Sequence, residues 1–118
     1  MNESILTSIK KLLGIAEEYT NFDADIIMNI NSVFMTLQQL GIGPTEGFMI
    51  EDDTTEWSEY IDVEEHQEQL NLLSAVKTYI YLKVKLVFDP PLSAAVKELM
   101  NQSIAELEWR MNIEIESK

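Results

Sequence analysis

The sequence predicts an all-α protein, a small bundle of three to four helices with a long acidic loop or short hairpin between the second and third. Three observations predict it. Apolar residues recur at i, i+3 and i+4 in three separate segments, as a helix with one buried face requires. Gly and Pro fall between those segments rather than inside them. The one stretch that alternates like a strand has no second strong strand to pair with. A length of 118 residues and a hydrophobic content of 46% suit a single core, and the reading is one domain over residues 1–118.

The first element is a short helix from Ser4 to Leu13, with Ile5, Ile9, Leu12 and Leu13 at helical spacing and Gly14 as its stop. The second, Asp23 to Leu40, carries the most regular stripe: Ile26, Ile27, Ile30, Val33, Phe34, Leu37 and Leu40. Asn21 or Asp23 caps its start, Asp23 and Asp25 complement the helix dipole, and Gly41 suits its end. Met28 and Met35 lie about two turns apart, roughly opposite the stripe. Such a second apolar spot packs against a later segment of the chain or against another subunit.

From Gly41 to Tyr60 the helical period is lost. Three of the four glycines, Pro44 and the string Glu51-Asp52-Asp53 mark a flexible loop, in which 47–51 and 55–60 pair as a hairpin if any strand forms. A third helix is expected from Asp62 to Phe88. Its end, from Thr78, alternates apolar and polar residues. No breaker separates it from the helical pattern before it, so it reads as helix, apolar on nearly every side and therefore buried or in an interface. Asp89-Pro90-Pro91 ends it. A fourth helix follows from Leu92 to Met111, with Ala95, Val96, Leu99, Ile104, Leu107 and Met111 inward and Trp109 off that face. Residues 112–118 read as an extended tail or as a strand lent to a neighbour.

Charge narrows the function. Acids outnumber bases 21 to 8, for a net charge of -13. No Lys or Arg occurs between Leu12 and Val76, where 14 of the acids lie, nine of them between Glu51 and Glu68. A surface that neutralises phosphate needs clustered bases, so sequence-specific nucleic-acid binding is not expected. Nor is attachment to an anionic membrane. No apolar run approaches the ~18 residues of a membrane span, and MNESILTSIK lacks the basic-then-apolar pattern of a leader. The acidic candidates Glu51, Asp52, Asp53, Glu56, Glu59, Glu64, Glu65 and Glu68 form either a solvated surface or one that repels DNA or docks a basic partner.

Catalytic chemistry finds little material. Without cysteine there is no thiolate nucleophile, disulfide or Fe–S ligation. The single histidine, His66, has Asp62 four residues before it, but two ligands make a weak metal site. Glu51-Asp52-Asp53 lacks the spacing of a calcium loop, and no Gly-rich loop precedes a Lys. No cofactor, metal or enzymatic activity is expected. Surplus apolar and aromatic groups (Met28, Met35, Trp57, Tyr79, Tyr81 and Trp109) are candidates for subunit contact.

Four stretches carry a resemblance: TSIKKLLGI (Thr7 to Ile15), FDADIIMNINSVFMTLQQLGIGPTEGFMI (Phe22 to Ile50), the acidic turn containing Trp57, and VFDPP (Val87 to Pro91). Together they resemble the head–tail connector proteins of tailed bacteriophages and prophages, over nearly the whole chain. The resemblance implies a mostly helical virion structural protein, made in the bacterial host cytoplasm and placed in the virion neck. It implies a homo-oligomeric ring between the portal protein and the tail or stopper proteins, through which DNA passes. No catalytic residue is carried over. The alternative reading is a small acidic helical adaptor or regulator that binds a basic partner protein.

Overall fold

The computed structural model describes residues 3–116. Its helices are α1 (Ile5–Leu13), α2 (Asp23–Gln39), the single turn α3 (Trp57–Tyr60), α4 (Leu70–Phe88) and α5 (Ala94–Glu116), with a 3-10 turn at Gln67–Gln69 before α4. No strand occurs among the described residues. The ambiguous end of the third segment is helix, as its unbroken pattern predicts.

Helix α4 is the centre. It packs against α2 and α5 and touches α1, burying Leu72, Leu73, Val76, Tyr79, Ile80 and Val84. Cover on three sides explains why its sequence shows no single apolar face. Helix α2 faces it with Ile26, Ile30, Val33, Phe34 and Leu37, all buried. Ile5, Leu6 and Ile9 of α1 close one end.

Local signals fix the ends. Ser4 Oγ accepts from the Thr7 amide at 3.1 Å, capping α1. Gly41, at φ 85°, lets the Ile42 amide turn back to the Leu37 carbonyl at 2.9 Å and bury the Ile42 side chain. Neither Asn21 nor Asp23 caps α2. Phe22 occupies that position without a side-chain bond, because Asp23 is drawn to Lys10 instead.

Lys10 is the one buried charged side chain among the described residues, 2% exposed. Its ammonium donates to the carbonyls of Glu17 at 2.9 Å and Tyr19 at 2.8 Å. It also lies 2.8 Å from Asp23 Oδ1, a charge contact without hydrogen-bond alignment. One side chain thereby ties the loop after α1 and the start of α2 to α1. Leu6, one turn earlier, is buried on the same side, so α1's inner stripe includes a lysine that apolar spacing alone passes over.

Four expectations are corrected. The third long helix begins at Leu70, not Asp62. The Asp62 carboxylate accepts from the Glu64 amide at 3.1 Å, a local turn that competes with helix. The hairpin does not form: residues 55–57 bridge to the N-terminal end instead, Ile5 N to Thr55 O and Trp57 N to Glu3 O, both 3.0 Å. The first turns of α5 stand clear of the core, leaving Ala95, Val96 and Leu99 exposed, while Ile104 and Met111 are buried. Finally, 112–116 continue α5 rather than extending. Leu107, Met111 and Ile115 share one face and pack on the core, so the helical period prevails over the local alternation. Residues 117 and 118 lie outside the described residues.

Replacing Lys10 by Met should lower unfolding stability by about 3 kcal/mol, because Asp23 loses its counter-charge and two carbonyls lose their donor. Lys11→Met, at the exposed neighbour, should change it by less than about 0.5 kcal/mol. Urea unfolding of both variants checks this, and equal midpoints would contradict the role given to Lys10.

Candidate assembly surfaces

The six apolar candidates divide. Trp57 and Tyr79 are buried and leave the set. Trp57 anchors the loop to α1: its Nε1 donates to Ser8 Oγ at 3.1 Å and Lys77 Nζ stands 5.4 Å from its ring. Tyr79 sits in the α4–α5 seam and donates to Glu108 Oε2 at 2.7 Å. Burial, then the Glu108 carboxylate, push its phenol well above the usual tyrosine range. Both were read from sequence as surplus aromatics; a polar tip with a partner allows each into the core. Tyr81 is half-buried against the core. Met28, Met35 and Trp109 are exposed, at 69%, 62% and 64%.

Helix α2 and the loop after it build one of these surfaces together. Asn31 lies between Met28 and Met35 on the same helical face. Its amide group grips the Ile50 backbone, accepting from the amide at 2.8 Å and donating to the carbonyl at 2.9 Å. Ile50 is buried by this grip, and Met49 beside it is 68% exposed. A third methionine thus joins Met28 and Met35. Below the strap, Phe48 packs edge-on against Phe34 and Tyr60. Gly43 makes room for Tyr60: a Cβ there would lie 2.6 Å from the ring. Met49 escaped sequence reading because only the Asn31 contact brings it to α2.

The acidic residues lie on the loop after α2, on α3 and on the turns before α4. Glu51, Asp52 and Asp53 follow Ile50 directly and are exposed. The Thr54 hydroxyl and amide donate to Asp52 and hold its carboxyl below the usual range. Glu56 and Glu59 form a reciprocal capping box on α3 and so have a structural task. Glu64, Glu65 and Glu68 are exposed, as is His66, which lies 3.6 Å from Glu68.

A second apolar surface lies at the corner between α4 and α5. Val87, Leu92, Val96 and Leu99 are all exposed there. A third is an open groove lined by Asn71, Ala75, Thr78, Trp109 and Ile113. No group of three or more His, Asp or Glu capable of holding a metal occurs among the described residues, and none of their helices is long and apolar enough to cross a membrane. The surfaces suit contact with other proteins.

Asn31→Ala should release the 48–50 strap. The two lost bonds predict about 2 kcal/mol of destabilisation and faster limited proteolysis between residues 46 and 56. Unchanged cleavage there would contradict the strap.

The model of a family described as phage connector protein matches residues 5–118. Comparison with curated proteins and with solved structures yields no match.

Proposed function

The chain belongs to the phage connector protein family, and we propose that it is a non-enzymatic head–tail connector of the virion neck, forming a homo-oligomeric ring between the portal protein and tail or stopper proteins. The family match over nearly the whole chain carries this reading. The exposed apolar surfaces support it, because a ring subunit needs two lateral contact faces beyond its own core. The long base-free acidic stretch suits a channel through which DNA slides, since it offers phosphate no counter-charge.

In this reading Met28 and Met35 belong to a lateral contact. Changing both to Glu should leave helix content intact and the monomer's stability within about 0.5 kcal/mol, since both side chains already face water. The same change should abolish higher-order species in native mass spectrometry of the chain mixed with portal protein, by placing unpaired charge in a desolvated contact. Normal assembly of the double variant would remove these residues from the interface, and unfolding would place them in the core.

Duplex DNA should not bind measurably at physiological salt. Fluorescence anisotropy checks this, and micromolar, salt-sensitive binding would contradict the proposed channel surface.

A further inference from the structure

Two exposed apolar patches on this chain differ in charge, one acidic and the other weakly basic. The first is Met28, Met35 and Met49, held together by the Asn31 strap. Its flanks are Asp25, one turn before Met28, and Glu51, Asp52 and Asp53, which follow Met49; none of the four is in an ion pair among the described residues. The second patch is the α4–α5 corner with Val87, Leu92, Val96 and Leu99. Its flanks are Lys83, one turn before Val87, and Lys97, beside Val96; the Lys85–Asp89 ion pair lies at the turn, and one carboxylate outside any ion pair among the described residues, Glu98, sits beside Leu99.

The ion pairs sharpen that contrast. Lys10, Lys77, Lys85 and Arg110 each have a carboxylate partner within the chain. Lys11, Lys83 and Lys97 have none among the described residues, and Lys11 lies on α1, outside both patches. Lys83 instead stands 5.8 Å from the Tyr79 ring. Two unpaired cations and one unpaired carboxylate therefore flank the corner, whereas unpaired carboxylates alone flank the methionine patch.

We propose that the methionine patch of one copy receives the α4–α5 corner of the next, a head-to-tail contact between two different surfaces of the same chain. The proposal rests on the connector reading and names the lateral contact that reading needs. Apolar area meets apolar area, and Lys83 and Lys97 approach the carboxylates beside Met28 and Met49. Unbranched methionine side chains adapt readily to the aliphatic ridge of Leu92, Val96 and Leu99. A symmetric contact of two methionine patches would instead bring carboxylates together, which is unfavourable. A contact between unlike surfaces leaves one of each free after every addition, so it propagates and closes as a ring when the rotation allows.

The absence of cysteine from the chain makes disulfide trapping clean. Met49→Cys combined with Leu99→Cys places one thiol in each patch, both at exposed positions. Mild oxidation of the concentrated protein, and of portal-containing particles assembled with it, should give a ladder of covalent dimers, trimers and higher species. Each single variant should give no more than traces of dimer, because a contact between unlike surfaces brings no two identical positions together. A control with Met49→Cys and Glu18→Cys, the second thiol lying outside both patches, should give no ladder. Adding Lys83→Glu and Lys97→Glu to the trapping pair should shorten the ladder, most strongly at low salt.

No ladder, an equal ladder from the control, or efficient dimers from Met49→Cys alone would overturn the assigned contact. If the wild-type chain still enters a ring with portal protein, the connector reading stands and only the contact is wrong. If the wild-type chain enters no such ring, the connector reading itself fails.

Discussion

Helix α4 has almost no polar side over its second half, and the fold is organised around covering it. From Tyr79 to Phe88 only Lys83 and Lys85 interrupt a run of apolar and aromatic residues. A helix of that kind is stable in water only when jacketed, and each large side chain it buries contributes about 1.5–3 kcal/mol. Helices α1, α2 and α5 each take one side. The Phe22 ring reaches the last turn, edge-on to Phe88 at 5.3 Å. The cover is incomplete, because Val87 and the beginning of α5 remain in water.

The connections are fastened by a few side chains rather than by regular structure. Lys10 holds the first loop by two carbonyls and one carboxylate, Asn31 holds the second by the N–H and the C=O of one residue, Ile50, and Trp57 pins its end beneath Lys77. Each replaces backbone pairing that a hairpin or a longer helix would otherwise provide. The same fastening determines the surface. By strapping Ile50 to α2, Asn31 sets Met49 beside two other methionines and hangs three carboxylates at their edge. The core and the proposed contact are thus consequences of the same bonds.

The helical class, the four longer helices and most of the core were legible in the sequence, since Ile26, Ile30, Phe34 and Leu37 keep one period over many turns. What escaped depends on contacts between distant segments. Trp57 and Tyr79 read as surplus aromatics because neither Ser8 nor Glu108, which accept their polar hydrogens, is near them in sequence. Lys10 read as an ordinary surface base because its partners are loop carbonyls, which leave no trace in side-chain patterning. Residues 62–66 kept apolar spacing with Val63 and His66 but lost to an Asx turn. For the assembly surfaces, Met28, Met35 and Trp109 were visible as apolar residues off the core stripe. Leu92, Val96 and Leu99 were not, because an apolar stripe that meets no partner within its own chain has the same spacing as one that does.

We propose that this chain forms a closed ring around DNA at the neck of the particle. Cryo-electron microscopy of DNA-filled particles tests it most directly. The account predicts density for this helical fold as a closed ring between portal and tail, with the α4–α5 corner of each copy against the methionine patch of the next. A neck lacking this chain, or copies bound singly without lateral contact, would contradict it.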